Sequence, residues 1–115
     1  MRIGVRRLGD VTVVDLVGKF SVVTGPGRVK DVITDLVFGG RRNIVLNLAE
    51  VRYIDSSGLG ELVACYLTAE RQGCTIKLAN LDGRMRDVLV LTRLLSLFES
   101  HPSEDAAVMS FASAA

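Results

Sequence analysis

The sequence predicts an α/β fold: a mixed sheet with parallel central strands, packed by about four helices. Two observations carry this. β-branched runs of strand length alternate along the chain with segments whose apolar residues recur at i, i+3, i+4, i+7 and i+8. Several of the runs are apolar on both parities, as in strands covered on both faces. The 115 residues suit a single domain, residues 1–115, with no repeat and no low-complexity segment.

The elements follow in order. Ile3 to Arg7 forms a short first strand, and Gly9-Asp10 is a tight turn into Val11 to Val17, which Gly18 ends. Phe20 to Gly27 is a turn-rich loop. Val29, Val32, Ile33, Leu36 and Val37 make one helical stripe, and Gly39-Gly40 stops that helix. Arg41-Arg42 is solvated charge at the entrance to a buried strand, Asn43 to Leu48. A loop, Ala49 to Ser57, leads to a second helix from about Gly58 to Gln72, striped by Leu59, Leu62, Val63, Tyr66 and Leu67. Thr75 to Ala79 alternates as a strand, with Ile76 and Leu78 inward and Thr75 and Lys77 outward. A third helix runs from about Arg84 to Thr92, with Met85, Val88 and Leu89 inward, and Leu94 to Phe98 holds a short edge strand. Ser103 caps a last helix whose first turn carries Glu104 and Asp105; Ala106, Met109 or Val108, and Phe111 dock it. Such alternation of strand and helix builds parallel pairs through crossovers.

Composition excludes several functions. Apolar residues make up 49% and charged residues 23%, which rules out disorder, collagen and a disulfide scaffold. The 14 basic and 13 acidic residues sum to +1, so there is no cationic excess to hold a phosphate backbone or a membrane surface. Nucleic acid is not expected as a partner. No apolar run approaches the roughly 18 residues that span a bilayer, and Met1 to Arg7 has no signal core; no membrane insertion and a cytoplasmic location are expected. Cys65 and Cys74 lack the companions of a metal site and read as small buried apolar residues. His101, the only histidine, reads as a surface loop residue. There is no P-loop, no complete Gly-x-Gly-x-x-Gly, no His-Glu-x-x-His and no Gly-x-Ser-x-Gly elbow. A hydrolase built on Ser57 would lack a defensible base, and nucleotide binding at the Gly58 helix end would be weak. No enzyme activity, metal or cofactor is expected.

One stretch carries chemistry. A buried strand, Asn43 to Leu48, precedes Asp55-Ser56-Ser57-Gly58-Leu59-Gly60, where an acid, two hydroxyls and two glycines open a helix. Helix N-termini present unpartnered N–H groups and the positive end of a dipole. Gly58 and Gly60 keep the backbone bare for close approach by another molecule. A phosphate on either serine would sit at an anion site beside Asp55, and would disturb any partner packed on the same surface. The same residues also suit plain helix capping, although neither Ser56 nor Ser57 as cap completes a capping box.

These residues, with Ile44 to Leu48, Tyr53-Ile54 and the order of elements over nearly the whole chain, resemble the STAS domain of bacterial anti-sigma-factor antagonists. The resemblance implies a partner-switching regulator of transcription. The unmodified form would bind an anti-sigma factor that is also a serine protein kinase, and the kinase would release itself by phosphorylating Ser56. A PP2C-type phosphatase would restore binding. Asp55, Ser57, Gly58, Leu59 and Gly60 frame the site, and Phe20, Ser21 and Thr24 join the partner contact. The chain departs from the family pattern, usually Gly-Glu-Leu-Asp, at Gly18-Lys19-Phe20-Ser21, where both acids are gone. Lys19 reads as a solvated loop lysine, or as a group able to pair with a phosphate. The altered loop favours an alternative: a non-switching STAS subunit of a larger assembly, such as a stress-sensing scaffold or a lipid or anion transporter.

Overall fold

The computed structural model describes residues 1–25 and 27–112; the side chain of Thr24 lies outside the description, as does Pro26. Among these residues the order is β1 (Arg2–Leu8), β2 (Val11–Phe20), α1 (Arg28–Phe38), β3 (Asn43–Ile54), α2 (Ser56–Arg71), β4 (Thr75–Ala79), α3 (Gly83–Leu91), β5 (Glu99–His101) and α4 (Glu104–Ala112). The strands form one sheet in the order β1-β2-β3-β4-β5. The Gly9-Asp10 turn, with Gly9 at φ 62°, makes β1 and β2 an antiparallel hairpin, and every later pair is parallel. Parallel neighbours need crossovers, and right-handed crossovers that all step in one direction fall on one face. Hence α1, α2 and α3 share a face, and α4 alone covers the other.

The double parity of the strands follows. Val14, Leu16, Ile44, Leu46, Ile76 and Leu78 meet Val29, Ile33, Leu62, Cys65, Met85 and Leu89 beneath the three helices. Val11, Val13, Val45 and Ala79 form a smaller cluster with Ala107, Val108 and Phe111 of α4. Lys77 belongs to this second face, so its expected outward position is corrected: it is only 7% exposed. Alternation does place it opposite Ile76 and Leu78, but that side is roofed by α4 rather than by water. Its Nζ donates to Ser110 Oγ (2.8 Å), pairs with Glu99 Oε2 (2.7 Å) and lies 4.2 Å from the Phe111 ring centre. Ala107, not Ala106 or Met109, is the deepest docking residue of α4; Met109 is exposed. The Ser103 cap forms as expected, its Oγ accepting the Ala106 N–H at 3.0 Å.

Several boundaries differ from expectation. β2 does not end at Gly18: the residue adopts φ 117° at a register shift, and the strand continues to Phe20. Glycine there marks a bulge rather than a stop. β3 runs on to Ile54, so the expected loop at Ala49 is strand paired with β2. Leu94 to Phe98 holds a single 3-10 turn, Leu95–Leu97, and the edge strand comes after it. His101 therefore stands on β5, its Nε2 2.7 Å from Glu99 Oε2. Cys65 is buried, whereas Cys74 is half-buried, its Sγ donating to the Arg41 carbonyl at 3.3 Å. Among the described residues no helix is long and apolar enough to cross a membrane.

Candidate functional site

The long parallel pairing of β2 with β3, ending at Phe20↔Ile54, delivers Ser21 and Asp55 to the same rim of the sheet. Asp55 is the N-cap of α2, with extended backbone (φ −114°, ψ −175°). Its Oδ1 accepts the Gly58 N–H (3.0 Å) and the Ser57 hydroxyl (2.5 Å), and its Oδ2 accepts the Ser21 hydroxyl (2.6 Å). Ser57 Oγ in turn accepts the Val22 N–H (3.0 Å), and Ser21 Oγ accepts the Val23 N–H (3.2 Å) to cap the 3-10 turn Val22–Thr24. The Ser21 hydroxyl first, then the Ser57 hydroxyl and the Gly58 N–H, hold the Asp55 carboxyl down to about 2. An ionised carboxylate thus already fills the anion position at the α2 N-terminus. The helix begins at Ser56, two residues before the expected Gly58, and neither serine is its cap.

The two serines differ sharply. Ser57 is half-buried, and its hydroxyl both donates and accepts. Ser56 is exposed, and its hydroxyl has no hydrogen bond among the described residues. The glycines differ too. A Cβ on Gly58 would stand 2.0 Å from the Phe20 carbonyl oxygen, whereas one on Gly60 would meet nothing within 4 Å. The close approach at Gly58 is therefore by β2 of this chain, a correction to its expected role as bare surface for another molecule. Phe20 is also corrected: it is buried in the main core and offers no side chain to a partner. Ser21 is buried within the Asp55 network, and Leu59 is half-buried against the core. The Thr24 side chain, expected at the contact, lies outside the described residues. Ser56 and Gly60, at i and i+4, remain as the open face of the first turns.

Sequence reasoning missed three contributors. Val22 and Val23 stand exposed on the 3-10 turn, Val23 at 87%, beside the Ser57 bond. The signal was two adjacent valines inside a turn-rich loop. Glu61 is buried, and its Oε2 accepts the Lys30 N–H at 3.0 Å. It closes the α1 N-terminus, where the cap residue Gly27 has no side chain to do so. Lys19 lies on β2 rather than in a loop, with Nζ 6.0 Å from the centre of the half-exposed Tyr53 ring. His101 stands on β5, with β4 between it and β3, so it does not complete a triad with Ser57. Among the described residues no three His, Cys, Asp or Glu gather as a metal site.

A five-stranded mixed sheet thus carries three helices on one face and, at its rim, a helix start with two hydroxyls. The chain belongs to the STAS domain family, whose model matches residues 2–107. It superposes on an anti-sigma factor antagonist from Mycobacterium paratuberculosis with a TM-score of 0.83, at 25% identity, covering 95% of this chain and 92% of that one. It is similar to the Bacillus cell fate determinant SpoIIAA in its phosphorylated form, with a TM-score of 0.71, 20% identity and coverage of 95% and 99%. It is also similar to a sulfate transporter family protein from Wolinella succinogenes, with a TM-score of 0.74, 16% identity and coverage of 90% and 85%.

Proposed function

We propose that this chain is an anti-sigma-factor antagonist and that Ser56 is its switch. The observation that carries the reading is the contrast between the exposed, unbonded Ser56 hydroxyl and the locked Ser57 hydroxyl. In the unmodified state an anti-sigma factor with serine kinase activity packs on the face made by Ser56 and Gly60, flanked by Val22 and Val23. Phosphate on Ser56 adds about −1.5 to −2 charges to a face that already holds the Asp55 carboxylate. The partner must then bury like charge, and it leaves. A PP2C-type phosphatase resets the switch. The chain acts as substrate and partner, not as catalyst. A phosphorylated form is the subject of one similar structure, which supports this reading.

The test compares two variants against the anti-sigma factor recovered with the chain. Ser56→Asp retains the fold and binds at least tenfold more weakly, a loss of about 1.4 kcal/mol. Ser56→Ala binds like wild type and is not modified. Equal binding by Ser56→Asp would move the switch elsewhere.

The similarity to a transporter family protein, with Lys19 in place of the family's acid, favours a second reading: a STAS subunit that does not switch. Under it, the chain co-purifies with a membrane transporter or scaffold and Ser56 stays unmodified.

A further inference from the structure

β3 is longer than the strand beside it. It pairs with β2 as far as Ile54, but its last partner on β4 is Ala79, opposite Asn47. The cause is local. Asn80 takes a left-handed conformation (φ 62°), and its Nδ2 donates to Asn47 Oδ1 at 2.9 Å, so the chain turns out of the sheet there. The Ala49 N–H is taken up by Asn47 Oδ1 (3.2 Å). Residues 50–54 are left with strand geometry and no strand on their β4 side. Opposite them stands α3, and between the two lies a cavity of 220 Å³.

The walls of this cavity are mostly apolar: Val51 and Met85 are buried, and Ile54 and Val88 half-buried. Its rim is cationic. Arg52 and Arg84 are exposed and have no acidic partner among the described residues. The one acid on the rim, Asp82, is engaged as the α3 cap, its Oδ1 accepting the Met85 N–H at 2.7 Å.

We propose that this groove binds an extended peptide segment of a partner protein, one that alternates apolar and acidic residues. The segment adds as a strand to residues 50–54, in the lane that β4 vacates. Main-chain hydrogen bonds to an open edge supply affinity, and alternate side chains supply specificity. Because strand side chains alternate, every second one enters the apolar cavity and the others meet the rim, where arginine forks match carboxylates. A free edge of this length is otherwise an aggregation hazard that proteins cover or charge. Here Arg52 guards it against copies of the same chain, and an acidic partner relieves that repulsion. The inference does not depend on Ser56 being a switch.

The experiment titrates the isotope-labelled full chain with a short synthetic peptide alternating glutamate and leucine. A peptide with lysine for glutamate is the control. The expected result is amide shifts centred on residues 51–54 and 84–88, with slowed hydrogen exchange at 51–54, for the acidic peptide only. The double variant Arg52→Glu, Arg84→Glu changes exposed side chains and retains the wild-type spectrum elsewhere. It loses about tenfold or more in affinity for the acidic peptide and gains binding of the lysine peptide. No shifts at about 1 mM acidic peptide, shifts centred on another surface, or undiminished binding by the double variant would each overturn the proposal.

Discussion

The rim around Asp55 and the α4 face around Lys77 are both organised by a carboxylate with several partners, yet they do opposite things with charge. Under α4, each carboxylate of the network is paired with a cation. Lys77 and His101 converge on Glu99, and Arg6 binds both Asp15 (2.6 Å) and Glu104, clipping the start of α4 to β1. At the rim, the groups that bind the Asp55 carboxylate are neutral: the Ser21 and Ser57 hydroxyls and backbone N–H. The first arrangement closes a thin core. The second fixes the backbone while leaving a net negative charge next to an exposed serine. The lesson is that satisfying a carboxylate's hydrogen bonds and neutralising its charge are separate operations. Of the two regions, only the rim holds a carboxylate bonded, among the described residues, to neutral groups alone.

Substitutions in both regions test this comparison. Gly58→Ala has the largest effect: a Cβ 2.0 Å from a backbone carbonyl forces β2 and α2 apart, at a cost of about 3 kcal/mol in denaturant unfolding. Gly60→Ala has the opposite sign. It removes a helical glycine with open space around it and stabilises by about 1 kcal/mol. Lys77→Ala costs about 2 kcal/mol, chiefly through its buried stem, while Lys77→Met keeps the stem and costs under about 1 kcal/mol because Glu99 is half in water. Ser57→Ala strands the Val22 N–H and costs about 1 kcal/mol, whereas Ser56→Ala stays within about 0.5 kcal/mol of wild type.

The smallest effects sharpen the contrast through pH. The Asp55 and Glu99 carboxyls are each held down to about 2, below their unfolded values. The unfolded chain therefore binds more protons in acid. Both contributions are complete above about pH 5 and are lost as pH falls toward 2. Asp55→Asn and Glu99→Gln each flatten this acid slope when the unfolding midpoint is followed against pH. Added salt weakens the Glu99 contribution, which rests first on Lys77, and leaves the Asp55 contribution, which rests on neutral donors, nearly unchanged. Equal salt sensitivity of the two would contradict the distinction drawn between the regions.

Periodicity made the elements legible. The stripes of α1 and α2 and the double parity of β2 and β3 read directly, because burial selects apolar residues at the period of each backbone. Element ends were less legible. Ala49 to Ile54 carries Glu50, Arg52 and Tyr53 on an exposed stretch that β4 does not cover, so a strand there lacks the apolar pattern of a buried one. Gly18 looks like a stop in one dimension and is a bulge in three. Lys77 was assigned to water because no local pattern announces that α4, some thirty residues later, roofs its face. At the rim, the Asp55–Gly60 block was legible as the start of a helix, but not the bonding within it. Which serine is locked and which glycine is required depends on Phe20, Ser21 and Val22, brought there from β2 by the sheet.

Mapping phosphate on the chain recovered from its native host tests the Ser56 switch most directly. Cleavage after Arg52 and Arg71 yields one peptide, Tyr53 to Arg71, holding both serines. Phosphate is expected on Ser56 and not on Ser57, with a serine kinase co-purifying with the unmodified form. Phosphate on Ser57, or a peptide that stays unmodified across growth conditions, would contradict the switch.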